Sequence, residues 1–126
     1  FPGETEEEHQ QTCNFLRSLP LAYLHIFSFS KRKGTPAFAL LNQIPKTIKN
    51  RRANELTQIS HALTGAYANS LVENKIPLRG IVEKSANGYC EFLSDHYLRV
   101  RFSGNYQPGD FVQIPSQDVQ IRMQND

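Results

Sequence analysis

Residues 89–104, YCEFLSDHYLRVRFSG, decide the fold class of this 126-residue chain. Within HYLRVRF (96–102), two sets of side chains alternate: His96, Leu98, Val100 and Phe102 against Tyr97, Arg99 and Arg101. Successive side chains of a β-strand point to opposite faces of the sheet. The alternation therefore predicts a strand with one face in a core and a basic, aromatic face turned outward.

The sequence around this segment predicts more strands of the same kind. Five short segments have partial alternation: PLRGIVEKS (77–85), YCEFLSD (89–95), HYLRVRFSG (96–104), DFVQIPS (110–116) and DVQIRMQ (118–124). Turn signals separate several of them, at Asn87-Gly88, Gly104-Asn105 and Pro108-Gly109. Five short strands at this spacing indicate a small all-β barrel that begins near residues 70–76.

The sequence before residue 75 has helical patterns. Residues 46–74 predict a long helix with an apolar stripe: Ile48, Leu56, Ile59, Leu63, Ala66 and Tyr67. A first helix is predicted to begin at a capping box of Thr5 and Glu8. Its apolar face is predicted to contain Thr12, Phe15, Leu16 and Leu19. LAYLHIFSF (21–29) follows Pro20 and predicts a buried parallel strand.

The charge is unevenly distributed, although the formal net charge is only +2. Residues 31–52 contain seven Lys or Arg and no acid, whereas residues 1–30 contain four Glu and one Arg. A local basic block is typical of a polyanion-binding surface, and a solvated helix start and loop is the alternative. On residues 96–102 the outward face suits RNA, or else ordinary ion pairs to Glu83 or Glu91.

No self-contained active site is visible. The two cysteines, Cys13 and Cys90, lack metal-ligand spacing and are expected to be buried thiols. The four histidines are scattered, so each is expected to be a surface or packing residue: His9, His25, His61 and His96. There is no phosphate loop, nucleophile elbow, signal peptide or membrane-length apolar run. The chain begins with Phe-Pro-Gly and is interpreted as a piece of a longer polypeptide.

Four stretches in order resemble the C-terminal part of radical-SAM tRNA methylthiotransferases: FPGETEEE (1–8), LHIFSFSKRKGTPA (24–37), the basic helix, and HYLRVRFSGNYQPGDFVQI (96–114). The resemblance implies an α+β architecture in three parts. Residues 1–45 would be the C-terminal piece of a partial β/α barrel, and residues 46–74 a linking helix. Residues 75–126 would be a TRAM domain, a five-stranded antiparallel OB-like barrel that binds RNA.

The resemblance also implies a chemistry and a set of site residues. The intact enzymes use S-adenosylmethionine and two iron–sulfur clusters to add a 2-methylthio group to a modified adenosine beside the anticodon. Residues near bound S-adenosylmethionine would be Phe1, Pro2, Gly3, Glu4, Phe27, Ser28 and Phe29. The family's CxxxCxxC motif and its three N-terminal cysteines are absent. Because clusters need thiolate ligands, this chain alone is expected to be inactive and to bind no cofactor.

The basic loop favours one branch of the family. His25 and Arg32-Lys33-Gly34 are similar to the branch acting on threonylcarbamoyl-adenosine, whose carboxylate Arg32 could pair with. The isopentenyl-adenosine branch and a stand-alone RNA-binding module are the alternatives, and a protein-modifying enzyme is disfavoured. Predicted RNA-binding residues are Lys31, Arg32, Lys33, Lys84, Tyr97, Arg99 and Arg101. The expected partners are a tRNA anticodon stem-loop and the missing N-terminal part of the enzyme, in the cytoplasm and away from membranes.

Overall fold

A computed structural model describes residues 1–122, and the chain divides into two compact units, residues 1–63 and 64–126. The helices are α1 (Glu6–Arg17) and α2 (Lys46–Glu73), with short 3₁₀ turns at Pro36–Phe38 and Ser116–Asp118. The strands are β1 (Leu78–Ala86), β2 (Tyr89–Leu93), β3 (Arg99–Ser103), β4 (Phe111–Ile114) and β5 (Gln120–Arg122). This confirms the predicted α+β class with a small barrel-like β domain.

Helix α1 begins at the predicted capping box but buries a different face. Thr5 Oγ1 accepts from Glu8 N at 3.2 Å, and Glu8 Oε2 accepts from Thr5 N at 2.7 Å. The predicted apolar face is wrong, because Phe15 is 63% exposed whereas His9 and Cys13 are buried. Burial of His9 carries little penalty because its ring nitrogen hydrogen-bonds to a carboxylate of α2.

The predicted strand over residues 21–29 is wrong for this chain, since the segment forms no ladder among residues 1–122. A strand needs a neighbouring backbone to satisfy its N–H and C=O groups. Here the Leu24 N–H donates instead to Ser60 Oγ at 2.9 Å, and the Phe27 side chain is 87% exposed. The apolar sequence alone therefore does not supply the pairing partner that a barrel strand requires.

The long predicted helix is confirmed by α2, which starts at Lys46 and ends at Glu73. Its buried positions in the first unit include Arg52, Ile59 and Ser60, while Ala66 of the predicted stripe is exposed. The boundary between the two units falls inside this helix, between residues 63 and 64. The assignment of residues 1–45, 46–74 and 75–126 as barrel piece, linker and TRAM domain stays a prediction.

The second unit is a five-stranded antiparallel sheet in the order β4-β1-β2-β3-β5. Asn87 and Gly88 have φ values of 54° and 77°, so they form the tight β1–β2 turn that their sequence predicts. A β-bulge lies between Val82 and Lys84. The core of this unit is apolar: Ala68, Leu71, Leu78, Val82, Cys90, Phe92, Leu98, Val100, Phe102 and Val112.

Two details of the predicted strands differ from the structure. Residues 94–97 form a turn closed by a hydrogen bond from Tyr97 N–H to Ser94 O at 2.9 Å, and Tyr97 adopts a φ of 58°. Strand β3 therefore begins at Arg99, and Tyr97 does not lie on it as predicted. The last predicted segment forms β5 up to Arg122, and its residues 123 and 124 lie outside the described residues.

Candidate cofactor pocket and nucleic-acid interface

The first unit contains a cavity of about 170 Å³. It is lined by five of the seven residues predicted to lie near the cofactor: Phe1, Glu4, Phe27, Ser28 and Phe29. Pro2 and Gly3 are not in its lining. Phe1 and Phe29 make an edge-to-face contact with ring centroids 5.4 Å apart. The FPGE turn and the segment after Pro20 therefore meet at one concave surface.

Helix α2 gives this cavity a charged side. Lys49 Nζ donates to the Phe29 carbonyl at 3.1 Å, and Arg52 Nη1 donates to Glu4 Oε2 at 2.7 Å. Arg52 also donates to the Glu4 carbonyl at 3.2 Å, and its side chain is only 8% exposed. Sequence reasoning missed both Lys49 and Arg52, although their place in the basic block was the available signal.

Glu6 completes the ion-pair group at the start of α1. It accepts hydrogen bonds from Arg51 at 2.5 and 3.1 Å and from Arg52 at 3.3 Å. The hydrogen bonds from Arg51, together with those from Arg52, lower the pKa of Glu6 to about 2 despite opposing desolvation. Part of the basic block of residues 31–52 is thus neutralised within the first unit.

The basic loop is a part of that block that faces solvent and forms no ion pair among the described residues. The side chains of Lys31, Arg32 and Lys33 are all exposed. The loop is shaped by Thr35, whose N–H and Oγ1 both donate to the Arg32 carbonyl, at 3.3 and 2.8 Å. Gly34, with a φ of 84°, supplies the left-handed turn. Lys31 Nζ lies 5.7 Å from the centroid of the Phe38 ring.

In the second unit, the outward face of the sheet carries a mixed row of charges. The register aligns Lys84 with Glu91 and Glu91 with Arg101, and Arg101 with Gln120. Arg101 lies over the Tyr89 ring, with 4.2 Å between Cζ and the ring centroid. The outward position predicted for Arg99 and Arg101 is confirmed, since the alternate residues Val100 and Phe102 are buried. Tyr89 was not identified from the sequence, although the two-residue periodicity of β2 could have indicated that its side chain faces outward.

Some of the charged side chains on this face are engaged in ion pairs. Arg99 Nη1 donates to Glu83 Oε2 at 2.5 Å, and Arg122 Nη1 lies 3.3 Å from Glu91 Oε1. The predicted alternative of cross-strand ion pairs is therefore present at Arg99. Lys84 and Tyr97 are exposed, Tyr97 at 61%.

The second unit also has a shallow, largely apolar surface pocket that Tyr97 helps to line. Its lining includes Ile81, Phe111, Tyr97 and the ion pair of Arg79 with Asp95. Although partial burial opposes it, hydrogen bonds from the Arg79 backbone and side chain lower the pKa of Asp95. Unpaired nucleic-acid bases stack on exposed aromatic rings of this kind, particularly where cationic groups lie beside them.

The structure also assembles a cluster that the sequence did not predict. His9, Cys13 and Glu55 lie together, with His9 Nε2 2.9 Å from Glu55 Oε2 and 3.5 Å from Cys13 Sγ. The hydrogen bonds from His9 and Gln10 lower the pKa of Glu55. The i, i+4 spacing of His9 and Cys13 on α1 could have indicated that these two side chains share a face. The third member, Glu55, lies 42 positions beyond Cys13, so no spacing rule indicates it.

These residues fit the two implied cofactors differently. Aromatic rings and charged groups around the cavity suit an adenosine-containing ligand, but about 170 Å³ is below the roughly 300–1,000 Å³ of a complete ligand pocket. The chain can therefore form one wall of such a site. Its two cysteines are both buried and lie in different units, so they do not fit an iron–sulfur cluster, which needs several neighbouring thiolates.

Comparison with known proteins confirms the resemblance to methylthiotransferases. The chain is 32% identical over 98% of its length to the threonylcarbamoyladenosine tRNA methylthiotransferase of Bacillus subtilis. It is 34% identical over 94% of its length to the tRNA-2-methylthio-N(6)-dimethylallyladenosine synthase of Desulfitobacterium hafniense. It is 31% identical over 90% of its length to the ribosomal protein uS12 methylthiotransferase of Lachnoclostridium phytofermentans.

The chain is therefore a homologue of the methylthiotransferases along nearly all of its own sequence. It spans only 32%, 27% and 28% of the lengths of these three relatives, respectively. No protein-family model matches it. No helix within residues 1–122 has the length and apolar character needed to cross a membrane.

Proposed function

We propose that this chain is the RNA-capturing part of a tRNA methylthiotransferase whose substrate is threonylcarbamoyl-adenosine beside the anticodon. The observation that carries the proposal is the solvent-facing loop of Lys31, Arg32 and Lys33, which starts two residues after Phe29 of the cavity wall. The name of the Bacillus subtilis relative agrees with this substrate.

The charge of the loop supports this choice of base. A threonylcarbamoyl group ends in a carboxylate, and an exposed guanidinium can bind a carboxylate through two parallel hydrogen bonds. An isopentenyl group has no charge and gains nothing from such a contact. Arg32 is therefore proposed to bind the threonyl carboxylate, with Lys31 and Lys33 bound to the neighbouring phosphates.

In the whole enzyme the cavity would form one wall of the S-adenosylmethionine site. The cofactor and clusters, when bound, supply the radical and sulfur chemistry, and the clusters are held by cysteines outside this chain. The contribution of this chain is to bind and orient. The Phe1, Phe27 and Phe29 rings would pack against apolar parts of the cofactor, while α2 fixes the cavity wall through Lys49 and Arg52.

The outward face of the β domain is proposed as a second RNA contact. Lys84, Arg99 and Arg101 are cationic groups of this face, and Tyr97 is an exposed ring on the turn before β3. Guanidinium groups and rings of this kind bind single-stranded RNA through phosphate contacts and base stacking.

The test is binding of residues 1–126 to an anticodon stem-loop with and without threonylcarbamoyl-adenosine, across a series of salt concentrations. We expect salt-sensitive binding to both RNAs and tighter binding to the modified one. Arg32→Gln should remove that preference. Lys46→Gln makes the same charge change at an exposed position on α2 and should weaken both affinities equally. Equal affinities for both RNAs in the unaltered chain would contradict the role of Arg32.

A stand-alone RNA-binding module is the second candidate. It is favoured by one observation, the formation of a complete antiparallel sheet and core within residues 64–122. Under this candidate the chain binds both RNAs in a salt-dependent manner and has no preference for the modified base. The same titration therefore separates the two functions.

A further inference from the structure

The buried cluster on helices α1 and α2 has a geometry suited to a cation. His9 and Cys13 are one helical turn apart, so both project from the same face of α1, where Glu55 of α2 meets them. Their ligand atoms all lie within 4.8 Å of one another. His9 is 2% exposed, Cys13 is fully buried and Glu55 is 28% exposed, so the cluster opens to solvent only on the carboxylate side.

We propose that His9 Nε2, Cys13 Sγ and a carboxylate oxygen of Glu55 bind a single zinc ion. Imidazole nitrogen, thiolate sulfur and carboxylate oxygen are the three ligand types that zinc accepts in proteins. Tetrahedral coordination at metal–ligand distances of about 2.0–2.3 Å separates the ligand atoms by roughly 3.3–3.8 Å. The separations of 2.9 Å from His9 to Glu55 and 3.5 Å from His9 to Cys13, with all three ligand atoms within 4.8 Å of one another, are close to this spacing.

The charges balance at this site. One thiolate and one carboxylate neutralise a divalent ion, which suits a place from which water is largely excluded. Gln10 already donates to Glu55 at 3.1 Å, so its side chain or a water molecule from the open side is available as the fourth ligand. The guanidinium of Arg17 approaches the other carboxylate oxygen, Oε1, at 3.9 Å and leaves Oε2 for the metal.

Protons must leave when the ion enters. Burial and the neighbouring Glu55 raise the pKa of the Cys13 thiol, so Sγ carries its proton when no cation is present. Zinc binding displaces that proton from Sγ to solvent, and the ring hydrogen of His9 must lie on Nδ1 so that Nε2 is free to coordinate.

The metal-free interpretation is a hydrogen-bonded contact between α1 and α2, and two sets of variants separate it from the proposal. His9→Gln and Cys13→Ser each remove one ligand. The matched control is Cys90→Ser, which removes the other buried thiol, in the second unit. Far-ultraviolet circular dichroism verifies that each variant retains its helices.

The experiment is titration of the untagged, reduced 126-residue chain with zinc in competition with a chromogenic chelator, followed by cobalt substitution. We expect one zinc ion per chain, a thiolate-to-cobalt charge-transfer band and a higher thermal midpoint with zinc. His9→Gln and Cys13→Ser should each weaken zinc binding about tenfold or more, and Cys13→Ser should also abolish the band. Cys90→Ser should change neither. Absence of stoichiometric binding, or binding unaffected by Cys13→Ser, would overturn the proposal. Neither result depends on RNA or on the proposed function.

Discussion

Arg101 lies over the ring of Tyr89 across the β2–β3 ladder, with its guanidinium carbon 4.2 Å from the ring centroid. Tyr89 is opposite Ser103, and Arg101 is opposite Glu91, so the two side chains are diagonal neighbours on the outward face. Stacking fixes the guanidinium plane without consuming all of its N–H donors. The contact therefore presents an oriented guanidinium on the outward face of the sheet.

Arg101→Gln should weaken RNA binding at every sequence and reduce the slope of log affinity against log salt by about one, because one phosphate contact is lost. Tyr89→Leu should weaken binding less, since the guanidinium remains but loses its support. The measurement is fluorescence anisotropy with a labelled stem-loop at several salt concentrations. Lys75→Gln, at an exposed lysine between α2 and β1, is the control; an equal loss there would refute a specific role for Arg101.

Two adjacent arginines on α2 should differ in their contribution to stability. Arg52 is 8% exposed and bonded to Glu4 and Glu6, whereas Arg51 is 56% exposed and paired with Glu6 alone. Arg52→Gln should lower the free energy of unfolding by about 2–3 kcal/mol, since it removes a buried guanidinium and leaves the partly buried Glu4 carboxylate without that donor. Arg51→Gln should cost less than about 1 kcal/mol. Urea denaturation measures both, and equal losses would contradict this ranking.

A methyl group at Gly80 should disrupt the β-sheet core. An added Cβ would lie 2.3 Å from the Phe92 ring and 2.7 Å from the Leu93 carbonyl. Gly80→Ala should therefore lower the free energy of unfolding by about 2–3 kcal/mol. At Gly104 the added atom meets only side chains at 2.9 Å or more, chiefly the partly exposed Tyr106 ring, which can move. Gly104→Ala should cost less than about 1 kcal/mol, and thermal denaturation of both variants checks the order.

Acid should weaken the first unit through Glu6. Its pKa is lowered from 4.5 to about 2 in the folded chain by the hydrogen bonds from Arg51, with Arg52 also contributing. A carboxylate with a lowered folded pKa stabilises the fold above its unfolded pKa, and this contribution is lost as the pH falls through the window from 4.5 to about 2. Glu6→Gln should reduce the loss of stability in that window.

The measurement for Glu6 is the free energy of unfolding as a function of pH. Glu7→Gln removes a carboxylate from the same turn of α1 and is the matched control. The curve of the control should follow that of the unaltered chain. If Glu6→Gln also follows it, the ion pairs of Glu6 contribute nothing to acid sensitivity.

The β domain was predictable because its signals are local. Alternation on β3 and the Asn87-Gly88 turn act within a few residues, and the structure has both. The face of α1 was not predictable in this way. His9 and Cys13 are buried because Glu55 of another helix meets them, and that contact spans 46 positions from His9. The strand prediction for residues 21–29 is wrong for a related reason, since a strand depends on a pairing partner that its own sequence cannot specify.

The same distinction between local sequence signals and tertiary contacts applies to the candidate sites. Arg32 and its neighbours were recognisable from the sequence as a basic run. Phe1 and Phe29 were identified as cofactor-site candidates only through a family resemblance. The buried position of Arg52 beside Glu4 came from tertiary packing, which no spacing rule indicates. Tyr97 was misplaced because a positive φ puts it on a turn, where alternation no longer assigns a face.

The central claim is that this chain supplies RNA capture and base choice to a methylthiotransferase. The most direct measurement replaces the aligned segment of the Bacillus subtilis enzyme with residues 1–126 and quantifies 2-methylthio-threonylcarbamoyl-adenosine in digested tRNA by mass spectrometry. We predict product from the chimera and at least tenfold less from the same chimera with Arg32→Glu. A soluble chimera with its full iron content that yields no product, or equal product from both chimeras, would contradict the claim.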